Sequence, residues 1–198
     1  MKSNWLSVGI LLAGGLSRRY GSPKAFAQYN GKYFYEIAYE ALATVCQHVI
    51  IVTRQELIER FPKDVHIIMD NPLFVGNGPL AGIYSVMEDT NANQYVVLPC
   101  DMPLMTAQVL EQLIEQHEHN VSIAVYKETI QPLVSVWSKE VKADIYIALK
   151  NGQLKMKEFL SKVPTKQVAM DPLNIGSEVF MNVNTPENKK ELGKWTQL

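Results

Sequence analysis

Residues 10–24 read ILLAGGLSRRYGSPK. An apolar run ends in the paired glycines Gly14 and Gly15, followed by Ser17, Arg18, Arg19, Gly21 and Lys24. A buried strand running into a glycine-rich, cation-bearing loop is suited to hold a polyphosphate. Backbone N–H groups approach anionic oxygens closely only where no side chain intervenes. The lysine and arginines then supply charge against the phosphates. The spacing is neither the P-loop GxxxxGK[ST] nor the dinucleotide fingerprint GxGxxG, and Gly76, Gly78 and Gly82 miss the latter by one residue, with Pro79 interrupting.

The rest of the composition narrows the class. At 198 residues, the chain is long enough for one domain with a substantial core, and 47% hydrophobic residues argue against disorder. A formal net charge of −1 gives no field for nucleic acid or an anionic membrane, so any anion site must be local. Cys46 and Cys100 show no metal-ligand spacing. Met1 to Ser7 is short and polar, unlike a signal sequence, and no apolar stretch reaches the roughly 20 residues of a membrane helix. A cytoplasmic protein with free thiols fits these features.

Periodicity predicts strands at Ser7–Ala13, Val49–Val52, His66–Met69 and Tyr95–Leu98. Between and after them, helices are expected over Tyr33–Thr44, Gln55–Phe61 (stopped by Pro62), Leu80–Met87 and Thr106–His117, the last with Thr106 as cap. This alternation implies a mainly parallel sheet with helices on both faces, an α/β fold of three layers. The second half is less regular. Strands are expected at Val121–Tyr126 and Leu133–Trp137 with Lys127–Gln131 as a loop, then helices over Lys139–Leu149 and Leu154–Leu160. A strand at Val179–Val183 precedes a helix opened by Thr185 and Pro186. No repeat or linker interrupts the chain, which reads as one domain over 1–198.

Three further segments carry chemistry. Asp101, in CDMP after the Tyr95–Leu98 strand, sits at a strand's carboxyl end, where open α/β sheets bind ligands. A carboxylate there suits Mg²⁺, which is bound by one or two carboxylates together with substrate phosphates; a turn aspartate is the bland alternative. Asp70 ends another strand in MDNP, before Gly78–Pro79–Leu80–Ala81–Gly82. Asn182 and Asn184, in NVNTPE, alternate along a predicted strand and so share a face; Thr185 and Pro186 are explained by helix capping alone. The triplet His117–Glu118–His119 reads as a solvated helix end, because residues two apart on a helix do not share a face. His48 and His66 begin predicted strands, and the sequence pattern assigns them no role.

Taken together, LAGGLSRRYGSPK, CDMP, GPLAG and NVNTPE resemble the molybdenum cofactor guanylyltransferase family, MobA-like nucleotidyltransferases with a Rossmann-like fold. The resemblance spans nearly the whole chain and is strongest in the glycine loop, DMP and NVNTP. It implies transfer of GMP from GTP to molybdopterin with release of pyrophosphate, with Mg²⁺ as cofactor and other molybdenum-cofactor proteins as transient partners. It implies a nucleotide-binding N-terminal half (Leu12, Ala13, Gly14, Gly15, Lys24, Asp70, Gly78, Asp101) and a molybdopterin-binding C-terminal half (Gln131, Asn182, Asn184). Lys24, Asp101 and Arg19 are the implied catalytic groups, with Asp101 on the metal. The segment from Gln131 and the lysines Lys155 and Lys157 align with the family's pterin side, although surface lysines on a short helix would look the same. Some relatives carry an asparagine after the second strand that contacts the nucleotide, and Thr53 stands at about that place here. A CTP-using or sugar-phosphate nucleotidyltransferase, and a GTP-binding module without transfer, are the alternatives that the sequence leaves open.

Overall fold

The computed structural model describes residues 5–170 and 176–193; the first four residues of the polar stretch Met1–Ser7 lie outside them. β1 (Trp5–Leu12) is the axis of the molecule. Its side chains alternate between two buried layers, as a strand covered on both faces requires. Val8 and Ile10 enter one apolar cluster and Leu11 enters the other. α1 (Phe34–Val45) covers the Leu11 side with Tyr35, Ala38, Ala41 and Leu42, a helical stripe. Its first turn is fixed by the Tyr33 N–H donating to Glu36 Oε2 at 2.6 Å.

The chain then lays β4 (His48–Val52) and β5 (His66–Ile68) parallel to β1 on one side. α2 (Pro79–Asp89) crosses the opposite face, and β6 (Ala92–Pro99) returns on the other side of β1, again parallel. Sequence order therefore reverses between β1 and β6, and the crevice that such a reversal opens lies at the carboxyl ends of these strands. α3 (Ala107–Glu115) adds Val109, Leu110 and Leu113 to the α1 layer.

β7 (Val121–Tyr126) and β8 (Thr129–Ser138) form a hairpin, β8 pairing antiparallel with β6 as well. α4 (Lys142–Lys150) and α5 (Met156–Leu160) extend the α2 layer, and β9 (Thr165–Ala169) pairs parallel with β7. The strand order is β5-β4-β1-β6-β8-β7-β9, with β8 alone reversed. This is the expected three-layer, mostly parallel α/β sheet. α6 (Pro186–Leu192) closes the described chain and buries Leu192 against Ala27, Phe34 and Val183.

Several local expectations change. The short helix expected over Gln55–Phe61 forms as a 3-10 helix, Gln55–Arg60. Thr106 stands at the N-cap of α3 but its hydroxyl makes no capping bond. Lys127–Gln131 is not a loop: Lys127 and Glu128, both at positive φ, form a two-residue turn and pairing resumes at Thr129. The hairpin's register slips next to Ala124↔Gln131, which leaves Pro132 where no ladder bond is needed. A small hairpin of β2 (Gln28–Tyr29) and β3 (Lys32–Tyr33) turns through Asn30–Gly31. The predicted strand Val179–Val183 is instead a 3-10 turn, Ser177–Phe180, followed by non-strand chain. Val179 and Phe180 bury into the α1 layer, which satisfies their hydrophobicity without a sheet partner.

Candidate active site

The end of β1 is clamped from both sides. The Ala13 N–H donates to the Val52 carbonyl at 2.9 Å, and the Cys100 N–H donates to the Leu12 carbonyl at 3.1 Å. Ala13 therefore has no amide left for a ligand, and the backbone cradle expected there narrows to Gly14 and Gly15. Ser17, at φ 49°, turns the loop back: its carbonyl accepts from Tyr20 N–H at 2.9 Å and Gly21 N–H at 3.1 Å. Its hydroxyl accepts from the Lys24 N–H at 3.1 Å. Serine at this position thus fixes the backbone of Lys24. Arg18 and Arg19 are exposed and form no ion pair among the described residues. Tyr20 packs beside the Ala27–Phe34–Val183–Leu192 cluster, which explains an aromatic residue in an otherwise polar loop.

Lys24 joins three distant segments. Its Nζ donates to Asp101 Oδ2 at 2.5 Å and to Asn184 Oδ1 at 2.9 Å. The Lys24 and Asp101 side chains are only 14% and 18% exposed, so the pair is far less screened than a surface bridge. The Asp101 carbonyl accepts from the Val183 N–H at 2.9 Å, pinning the C-terminal segment to the end of β6. Asn184 is held in turn by Asn188, whose Oδ1 accepts from the Asn184 and Thr185 N–H groups, both at 3.2 Å. Asn188 N–H donates to Thr185 Oγ1 at 3.3 Å, completing a capping box. On the other side, Phe26, two residues past Lys24, is wedged between Phe61 at 4.8 Å and the Arg60 guanidinium at 3.8 Å.

The β4 and β5 ends form the far side of the crevice. Thr53 is 3% exposed, its N–H donating to the Ile68 carbonyl at 3.0 Å and its hydroxyl facing the Ala13 carbonyl at 3.4 Å. Its side chain is part of the fold rather than of the surface. Asp70 Oδ2 accepts from the Gly76 N–H at 3.0 Å, and burial raises its pKa more than that bond lowers it. Gly78, at φ 75°, caps α2 in a conformation closed to most side chains. Gly82 serves helix–strand packing. A Cβ there would lie 3.0 Å from Leu12 Cδ2 and 3.1 Å from Val52 Cγ1, so glycine seats α2 directly on β1 and β4.

Other candidates fall outside this cluster. Asn182 is exposed, and it shares no strand face with Asn184, whose Oδ1 is already on Lys24. Gln131 lies in β8, half-buried, in a part of the strand that runs past the carboxyl end of β6. Lys155 is exposed and paired with Glu158 at 2.8 Å. Cys100 is buried, and that burial, aided by Asp101, pushes its thiol up to about 12, which argues against a nucleophilic role. His117 is not a solvated helix end: its ring bridges Ser122 Oγ at 2.8 Å and Ser138 Oγ at 2.9 Å. His66 Nε2 reaches Asp89 at 3.8 Å, and its ring meets that of His48 edge-on at 6.3 Å between centroids. Among the described residues no three His, Cys, Asp or Glu side chains form a metal cage, and no helix is long and apolar enough to cross a membrane.

A three-layer α/β sheet with a glycine loop, a lysine and a carboxylate gathered at its switch point defines a nucleotidyltransferase. Residues 9–168 match the MobA-like NTP transferase domain, and the chain belongs to that family. It is 40% identical over 182 residues to a probable molybdenum cofactor guanylyltransferase of Geobacillus sp. (strain WCH70), covering 90% of this chain and 93% of that one. It is 36% identical over 189 residues to the Bacillus velezensis protein of the same name, covering 93% and 94%. The fold is shared with molybdopterin-guanine dinucleotide biosynthesis protein A of Archaeoglobus fulgidus, with TM-score 0.79, 24% identity, and 95% and 97% of the two chains covered.

Proposed function

We propose that this protein transfers GMP from GTP to molybdenum-molybdopterin in the cytoplasm, as one domain with a nucleotide half and a pterin half. The observation that carries this reading is the Lys24 ammonium resting on Asp101 Oδ2 and Asn184 Oδ1 beside the glycine loop. The names of the relatives agree with it.

The attacking group is the terminal phosphate of molybdopterin. With a second pKa of about 6 a phosphate monoester is already anionic near neutrality, so no general base is needed. The oxygen–phosphorus bond to the α-phosphorus forms as the bond to the bridging oxygen breaks, and pyrophosphate leaves. Catalysis then rests on positioning and charge. Gly14 and Gly15 present backbone N–H groups to the phosphates. Lys24, its backbone fixed by Ser17, meets the charge of the transferring or departing groups, and exposed Arg19 can fold onto the pyrophosphate.

The Asp101–Asn184 oxygen pair already holds a cation in this structure, the Lys24 ammonium, and both ligands are of the hard oxygen type that Mg²⁺ takes. These two residues would hold the metal, which, when bound, neutralises phosphate charge. Lys24 would then turn from them towards the phosphates. Gln131 and Asn182 remain the acceptor-side candidates.

Asp101→Ala is expected to abolish pyrophosphate release from GTP, Mg²⁺ and molybdopterin while keeping the wild-type circular dichroism spectrum. Full turnover by this variant at saturating Mg²⁺ would sink the assignment.

A further inference from the structure

Arg54 follows the buried Thr53 at the carboxyl end of β4, and its stem lies along the glycine loop: a Cβ on Gly14 would meet Arg54 Cγ at 3.6 Å. Glu56 takes the Nη1 corner of the guanidinium. The Nε–H is shut away from water and has no acceptor, the one buried side-chain polar atom so placed among the described residues. A buried donor without a partner is costly, and native folds rarely tolerate one without a use. The side chain as a whole is 29% exposed, so it can turn into the crevice.

Its position says which part of a nucleotide it meets. Lys24 and Asp101 gather at the β6 side of the glycine loop and Arg54 at the β4 side, with β1 between them. Two strand spacings, roughly 10 Å, separate the two sides. A nucleotide whose phosphates lie at Lys24 and Asp101 extends its base towards Arg54. We propose that Arg54 reads the base, donating from the Nε side of its guanidinium to the O6 and N7 acceptors of guanine. Thr53 cannot take this role, because its hydroxyl faces the Ala13 carbonyl inside the fold. An arginine fork matches the O6/N7 edge of guanine, whereas cytosine presents an amino donor on the corresponding edge. The inference rests on the GTP reading above.

Binding of GTP, 7-deaza-GTP and inorganic tripolyphosphate, each with Mg²⁺, tests it by calorimetric titration. Wild-type protein should prefer GTP to 7-deaza-GTP, which lacks the N7 acceptor, by about tenfold. Arg54→Met should weaken GTP on the order of 10- to 100-fold, erase that preference and leave tripolyphosphate unchanged. Its unfolding midpoint should not fall, since the orphaned donor goes with the side chain. Arg54→Lys, which keeps the charge and loses the fork, should also lose the preference. An Arg54→Met protein that still prefers GTP to 7-deaza-GTP, or that loses all three ligands equally, overturns the proposal alone. Wild-type protein that binds CTP as tightly as GTP overturns the GTP reading itself and this proposal with it.

Discussion

Asn188 never contacts Lys24, yet its side chain governs where Lys24 is held. Asn188→Ala removes the acceptor for the Asn184 and Thr185 N–H groups, both now at 3.2 Å. Two such bonds at about 0.5–1.5 kcal/mol each put the loss at roughly 1–3 kcal/mol. The gain in helix propensity from asparagine to alanine returns at most about 0.7 kcal/mol. A net destabilisation near 1.5 kcal/mol corresponds to a fall in Tm of roughly 3–6 °C for a chain of this size. The functional effect follows from the same bonds. With its backbone released, Asn184 no longer fixes Oδ1 against Lys24 Nζ, and kcat should drop by about threefold to tenfold. Asn188→Asp keeps the acceptor and places a negative charge at a helix N-terminus, so it should hold most of the stability. Urea unfolding of the three proteins, together with pyrophosphate release, makes the comparison. Equal stability of Asn188→Ala and wild type, or equal losses in the alanine and aspartate variants, would refute the reasoning.

Two further outcomes follow from buried groups. Ser138 Oγ gives its own proton to the His119 carbonyl at 3.0 Å, so His117 must donate from Nε2 and accept from Ser122 at Nδ1, a neutral tautomer. Burial, with the nearby His119 adding to it, lowers the His117 pKa. The unfolded chain, with a histidine near about 6.5, therefore binds a proton that the fold resists, and stability falls as pH drops through that value towards the depressed one. His117→Gln should lose less stability than wild type when the urea midpoint is compared at about pH 7.5 and about pH 5.5. The Cys46 and Cys100 thiols are both pushed up to about 12, chiefly by burial. Ellman's reagent at about pH 8 should titrate neither in the native protein and both in urea; rapid native labelling of Cys100 would contradict its enclosure.

The layers of this fold were readable because β1, β4 and β6 are apolar on both faces and α1 carries a clean stripe. Edges were not. β9 reads TKQVA and fully buries only Val168, so its pattern looks like surface. The β2–β3 hairpin had a usable signal in Asn30–Gly31, the dipeptide of a tight hairpin turn. Val179–Val183 misled because apolar residues wedged into a layer by a 3-10 turn have the composition of a strand. At the site, the Gly14–Lys24 loop and Asp101 were legible as motifs, since each sits where its own strand ends. The pairing of Lys24 with Asn184 was not, because nothing local to either residue specifies the other. Arg54 was hidden beside Thr53: a lone arginine after a strand is unremarkable until its Nε–H is seen to lack an acceptor.

The bond between Lys24 and Asn184 ties residues 160 positions apart. Closing a loop of that length costs about 4–5 kcal/mol of chain entropy if nothing else has folded. The sheet and α6 must therefore draw the two segments together before an ammonium–amide contact can hold. During synthesis, a nascent chain that has emerged as far as β9 can already assemble all seven strands and the glycine loop. Its lysine can already meet Asp101 but still lacks Asn184. The full bracing of Lys24 thus follows the sheet and the glycine loop in the order of emergence.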